Sequence, residues 1–205
     1  FDSYPRDLER DLDLCRKEGV DIVFTPDDNE LYPEGFQTYV KLEKLPNHLC
    51  GLSRPVFFTG VATVVGKLFN MVLPHKAIFG EKDYQQLLVV RRMVRDLNFN
   101  IEIIGGPTIR EADGLAMSSR NNYLSVDQRP AACSLYRALQ NAQEMVVTGI
   151  SQAEKILAEA RKAITAYPDT VIDYMAIIDP ETLEDLTRVD KPARMALAVK
   201  VGTTR

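Results

Sequence analysis

Residues 76–107, KAIFGEKDYQQLLVVRRMVRDLNFNIEIIGGP, decide the fold. Lys76–Phe79 is a short apolar run that predicts a strand, and Gly80-Glu81-Lys82-Asp83 is the turn after it. From 84 to 97, Leu87, Val90, Val94 and Leu97 recur on one side and Arg91, Arg92 and Arg95 on the other, the period of an amphipathic helix. Ile101–Ile104 is a second strand, closed by Gly105-Gly106-Pro107. Strand, helix and strand joined by short links predict parallel pairing with the helix as crossover.

The same reading extends both ways. Upstream, Val61, Val64, Val65, Leu68, Phe69 and Val72 predict a helix over 60–73, ended by Pro74. Residues 7–18 predict another helix, with Gly19 as its stop, and Val20–Phe24 reads as a buried strand before Thr25-Pro26. The Pro-rich stretch 27–58 reads as an excursion with one extended segment near 38–42. Downstream of 108 the pattern changes. A polar loop spans Arg110–Leu124, and two helices are expected after it. Ser125-Val126-Asp127-Gln128 opens the first as a capping box, with Gly149 past its end, and Ser151-Gln152-Ala153-Glu154 opens the second. Val171–Ile178 and Met195–Val201 read as strands. The expected class is α/β: a parallel sheet with flanking helices over residues 1–108, and a small α+β domain over 109–205.

Composition removes several functions. Hydrophobic residues make up 45% and charged residues 26%, an ordinary globular balance. Formal net charge is −4 with no basic stripe, which opposes a nucleic-acid partner. No apolar run approaches the ~20 residues that cross a bilayer, so no membrane partner is expected. Cys15, Cys50 and Cys133 lack CxxC spacing, and His48 and His75 stand far apart, so neither a disulfide framework nor a zinc site is favoured. A cytoplasmic location is expected, with no secretory leader at Phe1. P-loop, GxGxxG, HExxH and GxSxG patterns are all missing.

Two stretches carry candidate chemistry. Gly80–Gln86 lies between a strand and a helix, at the edge where open α/β sheets bind ligands. Gly80 permits close approach, Lys82 can neutralise phosphate, and Asp83 and Gln86 can hydrogen-bond hydroxyl or carboxylate groups. The bland alternative is a turn glycine, an Asp83 helix cap and a solvated lysine. Ala116-Met117-Ser118-Ser119-Arg120-Asn121 places two hydroxyls beside a guanidinium, a compact anion site, with Gly114 as a hinge. Its alternative is an ordinary polar loop. A third stretch, Gly60–Val65, is explained by helix initiation and core packing.

Taken together, FGEKDYQQ (79–86) and READGLAMSSRN (110–121) resemble the pantothenate synthetase family. The match is supported by Tyr4-Pro5-Arg6, Leu31-Tyr32-Pro33, Ser53-Arg54-Pro55, Gly60–Val65 and Gly202–Arg205. The resemblance implies a Rossmann-like nucleotidyltransferase fold and an ATP-dependent ligase. In that reaction pantoate is activated as pantoyl adenylate and passed to β-alanine, releasing AMP and pyrophosphate, on the route to coenzyme A. It implies that Lys82 binds ATP phosphate and steadies the leaving pyrophosphate, and that Ser118, Ser119 and Arg120 clamp the triphosphate. Gln86 would hold pantoate, Gly80 and Asp83 the ribose region, and Met117 the adenine, with Ile109 also on the nucleotide. Mg²⁺ is the implied metal and a homodimer the implied assembly. The resemblance also implies that the family's opening strand–helix unit, with its HxGH histidines, is missing from this chain, which alone is then expected to be inactive. Val56-Phe57 departs from the family's small residue and His. The alternatives are another adenylate-forming or nucleotidyl-transferring enzyme on the same fold, and an RNA-binding module derived from it.

Overall fold

The computed structural model describes residues 7–205. The Tyr4-Pro5-Arg6 stretch lies outside the described residues. The chain divides into two compact units, one up to Thr38 and one from Tyr39 to Arg205.

In the first unit, helix α1 spans Leu8–Lys17. Its first turn is capped by Asp7, whose carboxylate accepts from the Arg10 amide at 3.1 Å. Gly19, at φ +73°, ends it as expected. Short helix α2 covers Asp28–Leu31. The expected strand Val20–Phe24 does not form. Among the described residues no strand pairs with it, and Ile22 is 84% exposed. An apolar run becomes a strand only when a neighbour takes its backbone hydrogen bonds.

The second unit begins with a segment held by buried polar groups. Thr63 Oγ1 accepts from the Val40 amide at 3.0 Å and donates to the Thr59 carbonyl at 2.7 Å. Gln85, almost fully buried, donates to the carbonyls of Leu45 and His48 at 2.9 and 2.7 Å and accepts from the Cys50 amide at 3.1 Å. These bonds tie the excursion, with its short helix α3 (Cys50–Ser53), to helices α4 (Phe57–Val72) and α5 (Tyr84–Asp96). Gly60 sits inside α4 rather than before it. Phe57 packs edge-on against Phe58 at 5.1 Å, with the Arg54 guanidinium 5.7 Å from its ring centre.

Strand β1 (Lys76–Gly80) pairs with β2 (Glu102–Gly106) in parallel, in a register that sets Phe79 beside Gly105 and Gly80 beside Gly106. Helix α5 is the crossover, as the sequence predicts. Phe58, Ala62, Phe69, Val89, Val90 and Met93 form the core beneath α4 and α5, joined by Ile178 and Leu183 from further along the chain.

Helices α6 (Arg129–Val147) and α7 (Ala153–Thr165) pack on an antiparallel pair, β3 (Thr170–Ile178) and β4 (Arg194–Val201). Ala131, Ala138, Ala160, Ile164, Val199 and Val201 fill the space between them. Small alanines on the helix faces let the layers approach closely. The Ser125–Gln128 box is present, with reciprocal bonds of 3.2 Å. The Ser151 box is not. Ser151 Oγ accepts instead from Arg188 at 3.0 Å, and the Ala153 amide bonds to the Thr187 carbonyl. Long-range pairing has replaced the local cap.

Candidate functional site

The first candidate group follows β1. Gly80 has φ −68°, and a Cβ there would meet open space. Neither backbone nor packing requires glycine, and the backbone there is open to close approach. Residues Glu81–Asp83 make a single 3₁₀ turn into α5. Asp83 is the N-cap residue by position, but its carboxylate makes no capping bond. It faces the Lys82 ammonium at a loose 3.9 Å, and both side chains are well exposed. The helix-cap alternative therefore fails for Asp83, and a carboxylate and an ammonium stand available together. Gln86 is half-buried on the first turn of α5.

The neighbours of this turn are firmly set. Glu81 receives Arg194 at 3.1 Å. Arg194 also lies over the Tyr84 ring at 4.1 Å, and the Tyr84 hydroxyl donates to the Pro180 carbonyl at 2.8 Å. On β3, burial pushes the Tyr174 phenol up to about 12, helped by Cys50, Asp173 and Asp83 and opposed by the positive charge of Arg205. Tyr174 is thus a neutral hydroxyl at physiological pH.

The second group is a small hairpin. Arg110 and Ala116 bridge antiparallel, and the Met117 amide bonds to the Ile109 carbonyl at 2.9 Å. Ile109 and Met117 are 62% and 56% exposed, so two apolar side chains sit side by side on the surface. Gly114 turns the hairpin at φ +90°, and a Cβ there would lie 2.5 Å from the Tyr136 ring. It is a locked turn and not the hinge expected from the sequence.

Ser118–Arg120 follow at once. Ser118 caps the 3₁₀ turn Ser119–Tyr123 by accepting from the Arg120 amide at 3.2 Å, which leaves its hydroxyl hydrogen to donate. Ser119 and Arg120 are exposed or nearly so.

The sheet register brings the two groups to one edge. Gly80 and Gly106 are neighbours at the carboxyl ends of β1 and β2. Ile109 comes three residues after Gly106, and Met117 is bonded to Ile109. With parallel strands under ~5 Å apart and at most ~3.6 Å per residue, Gly80 and Met117 lie within roughly 20 Å of each other. One cavity, of about 510 Å³, is lined by Arg91, Arg95 and Phe99, and another, of about 800 Å³, lies between α6, α7 and β4 with Tyr84 of the first group on its wall.

Arg129, Gln85 and Arg194 were not singled out from sequence. Their partners lie 16 to 113 residues away, so no local signal marks them.

Comparison with known proteins matches this arrangement. The model of the family described as pantoate-beta-alanine ligase matches residues 1–205. The pantothenate synthetase of Desulfatibacillum aliphaticivorans is 59% identical over the whole chain, which spans 73% of that relative. The crystal structure of pantothenate synthetase from Thermus thermophilus superposes with a TM-score of 0.94 at 50% identity, over 98% of this chain and 73% of that one. A structure of pantoate-beta-alanine ligase from Francisella tularensis, complexed with beta-gamma ATP and beta-alanine, superposes with a TM-score of 0.76 at 28% identity, over 98% and 68% of the two chains. A parallel pair whose carboxyl ends lead into both motif loops, 59% identity over the length of this chain and close superposition agree, and the chain belongs to the pantoate-β-alanine ligase family.

Proposed function

We propose that this protein joins pantoate to β-alanine at the expense of ATP, through a pantoyl adenylate, with the nucleotide at the carboxyl edge of β1 and β2. The observation that carries the site is the Gly80–Gly106 register, which sets both motif loops at one edge. The pantoate carboxylate attacks the α-phosphorus, an acyl–phosphate bond forms, and pyrophosphate leaves. The β-alanine amine then attacks the acyl carbon, an amide forms, and AMP leaves as the amine loses its proton.

Each residue supplies position or charge, not a nucleophile. Lys82, beyond a glycine that sets no barrier to approach, neutralises phosphate charge that grows as pyrophosphate departs. Ser118 and Ser119 donate to the triphosphate, and Arg120 grips it with a planar fork. Asp83, free of capping duty, accepts from ribose. Met117 and Ile109 offer an apolar surface to the base, and Gln86 donates to pantoate. Mg²⁺ would arrive with the nucleotide and supply further charge neutralisation. In this reading residues up to 108 hold nucleotide and pantoate, and 109–205 carry the phosphate loop.

A cytoplasmic homodimer completes the proposal. Among the described residues no helix is long and apolar enough to cross a membrane. Sedimentation of the full-length protein tests the dimer. The reaction is tested by exchange of labelled pyrophosphate into ATP. Exchange that needs pantoate and not β-alanine is expected. Exchange that ignores pantoate would favour a different adenylating enzyme.

A further inference from the structure

The hairpin before Ser118 is held by side chains that the reaction does not use. Arg129, in the first turn of α6, donates through Nη2 to Glu111 Oε2 at 2.5 Å and through Nε to Asp113 Oδ2 at 2.7 Å. The other oxygen of Glu111 accepts from Asn121 Nδ2 at 2.6 Å, and the same amide donates to the Ala116 carbonyl at 3.1 Å. The other oxygen of Asp113 accepts from the Leu115 amide at 3.1 Å. Each carboxylate is thus used at both oxygens, and each links Arg129 to a different side of the hairpin.

A second contact fixes the turn. The Arg110 guanidinium lies 3.9 Å from the centre of the Tyr136 ring and donates to the Gly114 carbonyl at 3.1 Å. Arg129, Cys133 and Tyr136 lie at i, i+4 and i+7 of α6, one face of the helix. The Asp113 carboxylate also touches the Cys133 thiol, which burial chiefly pushes up, so it stays a neutral donor. Helix α6 therefore presents a platform, and the hairpin is clamped to it at its turn and its base.

We infer that Arg129 is a positioning residue for the phosphate loop: through Glu111 and Asn121 it fixes the backbone on either side of Ser118, Ser119 and Arg120. The inference rests on the proposal that these three residues meet the triphosphate. Asn121 directly follows Arg120 and Ala116 lies two residues before Ser118, so the amide of Asn121 closes the loop at both ends. The carboxylates that Arg129 bonds, Glu111 and Asp113, are not proposed to meet substrate. A displacement of about 1 Å in a positioned group can cost a large factor in rate or affinity, so the brace has a measurable consequence.

The test compares Arg129→Gln, Arg129→Lys and Glu111→Gln with Arg120→Ala and the double variant Arg129→Gln/Arg120→Ala in the full-length protein. Initial rates give KM for ATP and for pantoate separately, and thermal melts report folding. Arg129→Gln is expected to raise the ATP KM about tenfold with the pantoate KM unchanged. Arg129→Lys should recover part of this, because one ammonium cannot serve both carboxylates. Glu111→Gln should shift the ATP KM in the same direction. The double variant should raise the ATP KM by less than the product of the two single effects, since the brace acts in part through Arg120. Wild-type ATP KM in Arg129→Gln, beside a raised KM in Arg120→Ala, would overturn the inference, and so would additive effects in the double variant. A normal ATP KM in Arg120→Ala would instead overturn the phosphate-clamp reading beneath it. Should Arg129→Gln fail to fold, Glu111→Gln and Arg129→Lys carry the same comparison.

Discussion

The two candidate loops are placed by different means. Gly80–Gln86 is placed by backbone: β1 ends in parallel register with β2, one 3₁₀ turn follows, and α5 begins. The side chains of Lys82 and Asp83, proposed to meet the nucleotide, face each other at a loose 3.9 Å. Ile109–Asn121 is placed by side chains, through Arg129, Glu111, Asp113, Asn121 and Tyr136. A loop set by a sheet keeps its shape when its side chains are changed. A loop set by an ion-pair network depends on every partner and on their ionisation.

The largest expected effect tests the first half of that comparison. Lys82→Ala should leave the fold intact and lower kcat by about 10²–10³-fold, as loss of a transition-state charge partner does. Near-normal turnover in a pyrophosphate-release assay would remove Lys82 from the chemistry. The glycines separate the two loops next. Gly114→Ala forces a methyl into the Tyr136 ring at a positive φ and should cost about 1–3 kcal/mol in a denaturant melt. Gly80→Ala meets open space and should leave stability unchanged while weakening ATP binding. Equal destabilisation by both would erase the distinction.

The smallest effect is in pH. The Arg129 and Asn121 hydrogen bonds hold the Glu111 carboxyl below its ordinary value, and the Arg129 and Leu115 bonds hold Asp113 well below its own. For carboxylates depressed in the folded state, the stabilisation is complete above the unfolded pKa and is lost as pH falls through the folded one. The stability difference between wild type and Arg129→Gln should therefore stay flat from about pH 8 to about 5 and shrink only below the ordinary carboxylate range near 4. Denaturant melts of both proteins across that range check this. A decline already centred near pH 6 would point to a different group.

Much of this was legible in the sequence. Periodicity located α4 and α5, and capping boxes α6 and α7, to within a few residues, because each buries one continuous stripe against a core the chain itself supplies. Both strands of the parallel pair were legible for the same reason. Val20–Phe24 reads as a strand and is not one, because strand formation depends on a partner, which no local pattern reports. The Ser151 box fails because Thr187 and Arg188 compete for the same groups from more than 30 residues away. The residues proposed to work in both loops stand within motifs that are visible in the sequence. The brace is not visible there, since Arg129 is one more arginine at a helix start until folding sets it against Glu111 and Asp113. Gln85 shows the same limit: nothing in sequence separates it from Gln86, yet one stitches the core and the other is proposed to meet pantoate.

The most direct test of two loops sharing one nucleotide is a crystal structure of the full-length protein with a non-hydrolysable ATP analogue. The expected result is the Lys82 ammonium and the Arg120 guanidinium on oxygens of the same triphosphate, each at about 3 Å. A well-ordered nucleotide held by one of these side chains, with the other directed away to solvent, would contradict it.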